Sequence, residues 1–268
     1  VTDPLAGSGI DTTVPHSARI WNYWLGGKDN YAVDREAGDA WTAVHPEIVD
    51  IARETRAFLG RTVRHLAGEV GIRQFLDIGT GLPTANNTHE IAQSVAPDAR
   101  IVYVDNDPLV LAHARALLTS TPEGQTLYLD ADMHDREALI NGAAEILDLT
   151  QPVAVCFIGV LGHVADLDEA RDLVRGLMDR MSTGSHLVLW DGVHAAGDEG
   201  RSQQAEDEYA DTGAVPYRAR TVEEIASFFD GLEWVDPGLV PVSLWRPDAT
   251  DVGEPRPVDA YGGVARKA

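Results

Sequence analysis

The stretch Phe75-Leu76-Asp77-Ile78-Gly79-Thr80-Gly81-Leu82-Pro83 constrains the fold of this chain more than any other. Apolar residues at 75, 76 and 78 read as a buried strand that carries a carboxylate near its end. Two glycines then turn the chain, and Pro83 suits a first helical turn because it has no N–H to leave unpaired. Glycines at 79 and 81 permit positive φ and let a ligand rest against bare main chain. Strand, glycine turn and helix N-terminus, in that order, are the parts of a nucleotide-type cofactor site.

Beyond this stretch, strands alternate with helices. The strand Gln74–Ile78 is followed by a helix whose buried face is Thr88, Ile91, Ala92 and Val95. Next come Arg100–Val104, ending on Asp105, a helix from Pro108 to Leu118, and Thr126–Leu129, ending on Asp130 and Asp132. A helical stretch over 136–147 precedes Val153–Ile158, which is continuously apolar as a strand covered on both faces must be. A helix over Asp168–Met181 and a strand over His186–Trp190 complete the series. This order predicts an α/β fold with a mostly parallel sheet, right-handed crossovers and helices on both faces.

The flanks read differently. Ser17 starts a short helix with Ile20, Trp21, Trp24 and Leu25 on one face, stopped by Gly26-Gly27. A second helix runs from Asp34 to Val44, and Pro46 opens a third that reaches Val70 before Gly71. Residues 1–72 are thus expected to form an N-terminal helical cap on a domain spanning 73–268. An acidic segment at about 192–220 reads as a solvated helical insertion, with a lid as the alternative. Thr221 and Glu224 form a capping box, and Leu232–Val235 and Val242–Trp245 are expected as closing strands, with the tail after Pro247 crossing the surface.

With 43 acidic and 21 basic residues among 268, the net charge is −22. Such a surface repels phosphate backbones, so nucleic acid and anionic membranes are not expected partners. The start of the chain has no basic patch followed by an apolar run, and the longest apolar run, Val153–Leu161, is too short to span a bilayer. The single cysteine, Cys156, allows neither an intrachain disulfide nor a thiolate metal cluster. Asp191 and His194 are two metal-type ligands without a third, so no metal is expected. These features predict a cytoplasmic enzyme or binding protein and leave its oligomeric state open, a homodimer included.

The dinucleotide fingerprint needs a third glycine where this chain has Thr84, which weakens an NAD-dependent oxidoreductase. Asp77, two residues before the first glycine, suits a cationic or ammonium-bearing cofactor better than a pyrophosphate. Asp105, at the end of the second strand, is placed to accept both hydroxyls of a ribose. Asp132 is placed to accept from an adenine amino group, with Met133 packed on the ring.

Leu76-Asp77-Ile78-Gly79-Thr80-Gly81 resembles motif I of S-adenosylmethionine-dependent methyltransferases, with Asp105 as their second-strand acid and Asp130-Ala131-Asp132 as their adenine-side motif. Nearly the whole chain resembles an actinobacterial family of such proteins, long described only as a domain of unknown function. The run from Ser17 to Tyr31 carries this likeness, with its Leu-Gly-Gly-Lys-Asp-Asn segment at 25–30. So do Gly79 to Thr84 with Asn87, His89 and Glu90, then Phe228 to Leu232, Trp245-Arg246-Pro247 and Tyr261-Gly262-Gly263-Val264. Thr55 departs from the family, which often has Asn before the arginine at this point.

The resemblance implies a Rossmann-like class I methyltransferase fold whose seven-stranded sheet has the order 3-2-1-4-5-7-6, the seventh strand antiparallel. It implies S-adenosylmethionine as cofactor and a small-molecule methyl acceptor. A non-catalytic S-adenosylmethionine-binding or ligand-sensing protein is the alternative. The expected cofactor contacts are Asp77, Gly79, Thr80, Gly81, Asp105, Asn106, Asp132, Met133, Tyr23 and Arg56, the last toward the methionine carboxylate. Trp21, Tyr23, Trp24 and Tyr31 read either as core or as a lid over the cofactor. Tyr31 and Trp245 are candidates for the acceptor pocket, and a closing strand equally accounts for Trp245. His163, just past the fourth strand, is the candidate general base, ahead of His16, Asp191 and His194, although a satisfied loop histidine also fits its position.

Overall fold

The computed structural model describes residues 11–83, 86–117, 120–194, 215–248 and 255–268, so most of the expected insertion and Thr84 lie outside the described residues. Strands β1 (Gln74–Ile78), β2 (Arg100–Asp105), β3 (Gln125–Asp130), β4 (Ala154–Ile158) and β5 (His186–Gly192) pair in parallel. β6 (Glu233–Trp234), β7 (Val240–Pro241) and β8 (Ala260–Arg266) complete the sheet. Its order is β3-β2-β1-β4-β5-β8-β6, with β7 also on β8, and β8 runs antiparallel to β5, β6 and β7. With the two-residue β7 set aside, this is the expected order.

Side-chain alternation along the strands builds a core on each face. Leu76, Ile78, Val102, Val104, Val155 and Phe157 face α6 (Arg136–Ala143), α7 (Leu167–Arg180) and α8 (Val222–Ser227). Phe75, Ile101, Tyr103, Ala154 and Cys156 face α3 (Ile48–His65) and α4 (Thr88–Val95). Asp77 lies two residues from Phe75 and shares its face, beneath α3 and α4. In parallel register Asp105 pairs with Asp130, so the acids of β2 and β3 finish level at the carboxyl edge.

Two expectations fail at the C-terminus. Val242–Trp245 is not a strand: Val242–Leu244 is a 3-10 turn, and the carbonyls of Val242 and Trp245 accept from the Arg61 guanidinium at 2.7 and 2.8 Å. That segment is seated on α3, not paired in the sheet. The tail does not merely cross the surface, because Ala260–Arg266 is the long antiparallel strand β8. A Cβ at Gly262 would stand 2.7 Å from Trp190 Cβ and 3.0 Å from the Leu189 oxygen. Only glycine passes there, and glycine is what strand propensity counts against.

Helices α1 (Ser17–Trp24), α2 (Ala32–Val44) and α3 lie before the sheet in the chain. α3 buries Phe58, Leu59 and Val63 on its apolar stripe and continues as a π-helical turn, Leu66–Val70, before Gly71 at φ +87° ends it. A buried charge cluster fastens α1 to the turn after β2. Arg19, only 4 % exposed, lies 3.7 Å from Asp34 and 3.6 Å from Asp107. Asp34 also accepts the amides of His16 and Tyr31, and Asp107 accepts the amide of Leu109. Among the described residues no helix is long and apolar enough to cross a membrane.

Candidate active site

A cavity of about 360 Å³ opens at the carboxyl edge of β1, β2 and β4, within the usual range for small-ligand sites of roughly 300–1,000 Å³. Its floor is the loop after β1. Gly79 and Gly81 hold φ of +68° and +67°, and the amides of Gly79 and Thr80 donate to the Val104 carbonyl at 2.9 and 3.2 Å. A Cβ on Gly79 would meet Val160 at 2.3 Å, whereas the nearest atom to one on Gly81 is Ala18 Cβ at 4.0 Å. The first glycine lets the loop close on β4, and the second leaves space for a ligand.

Asp105 faces this space. Its Oδ2 accepts the Gly81 amide at 2.8 Å and its Oδ1 the Asp107 amide at 2.9 Å. Burial raises its pKa, and the two amides oppose that shift. Each oxygen keeps a further lone pair for a ligand hydroxyl. Asn106, Asp132 and Met133 continue the wall, with Asp132 Oδ1 accepting the His134 amide at 2.9 Å. That bond and the His134 ring lower the Asp132 pKa.

Asp77 is placed under the wall and not on it. It accepts from Thr88 Oγ1 at 2.6 Å, and burial lifts its pKa to about 6 against the opposing effects of Thr88 and Arg56. Arg56 does line the cavity, and it donates to the Asn86 carbonyl at 3.0 Å and to Asn87 Oδ1 at 3.1 Å. Burial lowers its pKa while the Asp77 charge opposes the change. The pair places a cation at the surface of the cavity and its counter-charge below.

α1 forms the facing wall through Ser17, Ala18, Trp21, Asn22 and Leu25, one stripe at helical spacing. Tyr23 falls off that stripe, and its hydroxyl donates to Asp39 of α2 at 2.7 Å, so it does not line the cavity. Tyr31 is also elsewhere: it packs with Leu82 and Leu109, and the Arg19 guanidinium lies 5.5 Å from its ring centre. Trp245 is fully buried against Phe58 and His65, in the core under α3, and does not line this cavity. These three expected contacts are structural.

His163 does reach the cavity, on the short 3-10 turn Leu161–His163 after β4. Its Nδ1 lies 2.9 Å from the Pro216 carbonyl oxygen, which can only accept. The ring therefore carries its proton on Nδ1 and keeps a lone pair on Nε2. Burial lowers its pKa, which keeps it neutral. The ring stands edge-on to Tyr217 at 5.3 Å. Tyr217 donates to Asp191, whose carboxylate also pairs with Arg220 at 3.2 Å, and Arg220 further donates to the Leu161 and Val164 carbonyls. Burial raises Asp191 to about 6 against Tyr217 and Arg220. This network ties the 215–220 segment to β5 and so fixes the histidine. Of the weaker base candidates, Asp191 is engaged by these bonds, whereas His16 lines the cavity with its ring Nδ1 accepting the Ala18 amide. Among the described residues no group of three or more His, Cys, Asp or Glu is placed to hold a metal.

Sequence reasoning missed Ala18, Gly159, Val160, Trp190 and Val215 on these walls. Gly159-Val160 follows an apolar strand just as Gly79-Thr80 does, a signal that was available; the others depend on how distant elements pack.

Comparisons with known proteins bear on this geometry. The sequence profile of a family described as S-adenosyl methyltransferase matches residues 4–268. A crystal structure of a DUF574 family protein from Streptomyces avermitilis MA-4680 is 47 % identical, covers 96 % of this chain and 99 % of its own, and superposes with a TM-score of 0.90. A protein from Thermobifida fusca YX, given a provisional methyltransferase name, is 38 % identical over 100 % of this chain and 99 % of its own, with a TM-score of 0.87. At 13 % identity, the magnesium protoporphyrin IX methyltransferase of Synechocystis PCC 6803, solved with bound S-adenosylmethionine, shares the fold at a TM-score of 0.51 over 93 % of this chain and 90 % of its own. A search of curated proteins found no match.

Proposed function

Because the chain belongs to the S-adenosyl methyltransferase family, whose cofactor is S-adenosylmethionine, we propose that it is an active enzyme that transfers a methyl group to a small molecule. The observation that carries this reading is the cavity floored by Gly79–Gly81, faced by Asp105 and bordered by His163. When bound, S-adenosylmethionine supplies a methyl carbon whose bond to sulfur breaks, leaving the electron pair on sulfur, as a lone pair of the acceptor bonds to that carbon.

The chain's own residues hold, orient and deprotonate. Asp105 accepts the ribose hydroxyls through its free lone pairs, and the open space over Gly81 lets the ligand lie on the loop. Asp132, with Met133 beside it, receives the adenine side, and Arg56 meets the methionine carboxylate. Asp77 acts from below as counter-charge to Arg56. On this reading the helices up to about residue 72 are a cap that excludes water, and orientation of the acceptor supplies roughly 7–11 kcal/mol of the barrier. Nε2 of His163 takes the acceptor's proton, a role its tautomer supports. The net charge of −22 favours a small molecule over nucleic acid as the acceptor.

Incubation with S-adenosylmethionine and fractionated cell extract tests the proposal. Protein-dependent formation of S-adenosylhomocysteine is expected in at least one fraction. Tight cofactor binding with no turnover in any fraction would favour a sensor.

A further inference from the structure

A second, smaller cavity of about 100 Å³ bears on the identity of the acceptor. Ser17, Trp21, His163 and Trp190 stand on the walls of both cavities, so the small chamber adjoins the cofactor cavity beside the proposed base. Trp24 and Trp41 also line it. The indoles are set at steep angles to one another: Trp21 and Trp24 at 5.4 Å and 81°, Trp21 and Trp190 at 5.7 Å and 66°. Walls of this kind offer both faces and edges to a flat ring. An apolar cavity of about 150 Å³ holds benzene. At about 100 Å³ this chamber is smaller than that, but it shares Ser17, Trp21, His163 and Trp190 with the cofactor cavity, and the two together give room for one small ring that extends toward His163.

Charge narrows the class further. Among the described residues no lysine or arginine lines this chamber, whereas Glu47 and Asp259 do. Partial burial and the adjacent Glu47 carboxylate raise the Asp259 pKa, with His45 opposing. A cation between the two acids would relieve that repulsion, and a cation against an indole face is itself favourable. An anionic acceptor would meet like charge from both acids, which are exposed and have His45 beside them.

Resting on the methyltransferase reading, we propose that this chamber is the acceptor site and that the acceptor is a small arylalkylamine, cationic at neutral pH, that also carries the O–H or N–H to be methylated. Its ring lies among the four tryptophans and its nitrogen is directed to Glu47 and Asp259, with the reacting O–H or N–H presented to His163.

Titration of the full chain with phenethylamine, phenylacetate and butylamine, followed by calorimetry and tryptophan fluorescence with and without S-adenosylmethionine, tests this. Phenethylamine is expected to bind at least about tenfold more tightly than phenylacetate, which has the ring with the opposite charge, and than butylamine, which has the charge without the ring. Ile48→Trp fills the chamber from a half-buried position and should weaken phenethylamine by about tenfold or more while leaving cofactor affinity in place. Trp41→Ala should do the same by removing a wall, and Glu47→Gln should narrow the preference for phenethylamine over phenylacetate. Equal affinity for phenethylamine and phenylacetate would overturn the proposal. So would no binding of phenethylamine, or affinity unchanged in both Ile48→Trp and Trp41→Ala. Failure of the cofactor reading is separate, since it shows as no heat with S-adenosylmethionine alone.

Discussion

The two cavities are neighbours built by opposite means. The larger one is floored by a contiguous loop, with backbone amides, glycine φ angles and a buried carboxylate all fixed by the sheet edge. The smaller one is assembled from residues of α1, α2, α3 and β5, with His163, Tyr217 and Asp259 just before β8, parts of the chain far apart in sequence. A site made of main chain recognises what all its ligands share. A site made of scattered side chains can change its ligand without disturbing the loop. On the proposed reading, cofactor binding is dictated by the sheet edge, and acceptor choice by the side chains that the helices before it and the segments beside β5 bring together.

His163, on the boundary, offers the sharpest break between the two. His163→Gln should reduce turnover by roughly 10²–10⁴-fold while leaving cofactor affinity unchanged. Equal turnover would show that the acceptor needs no base at this position. Because burial lowers the histidine's pKa from its ordinary 6.5, the acid limb of the turnover–pH profile in the wild type should lie below that value. A limb above it would contradict the buried, neutral ring.

Arg19 tests whether the placement of α1 depends on its own anchor. Arg19→Ala leaves Asp34 and Asp107 buried without the guanidinium between them, and breaking such a cluster costs about 3–5 kcal/mol. Urea denaturation should register that loss, and cofactor affinity should fall as the α1 wall loosens. A loss below about 1 kcal/mol would place this cluster with surface pairs.

Asp77 gives the smallest effect, read as a slope. Its pKa is raised from 3.8 to about 6 in the folded protein, so the folded state holds more proton than the unfolded one between those values. Stability from this group is therefore greatest at low pH and declines as pH rises toward 6. Asp191 adds a parallel contribution. In Asp77→Asn the decline between pH 4 and 6 should be shallower than in wild type, measured by denaturation at each pH. An identical slope would mean that Asp77 is not the buried acid described.

What was legible follows the same division. β1, its glycine turn and Asp105 could be read because strand, turn and acid lie in order along the chain, and the fold class followed from the alternation after them. Tyr23 stands off the cavity because helical spacing puts 17, 18, 21, 22 and 25 on the facing stripe and leaves it out. Trp245 was misplaced because a large aromatic on a presumed strand can face core or cavity, and the turn that seats it on α3 depends on Arg61, 184 residues away. β8 escaped because Gly262 is required by Trp190 and Leu189 and Gly263 by Trp234 and Gly238, contacts invisible to local propensity. Trp41 and Glu47 showed no signal of a site, since nothing in their own segments places them beside His163.

The central claim is that the Gly79–Gly81 loop and Asp105 form the S-adenosylmethionine site. Calorimetry of wild type and Asp105→Ala with this cofactor tests it most directly. The account predicts saturable binding to the wild type and a loss of about tenfold to a hundredfold in the variant, as removal of a charged hydrogen-bond acceptor entails. Equal affinity in the two proteins, or no binding to the wild type, would contradict it.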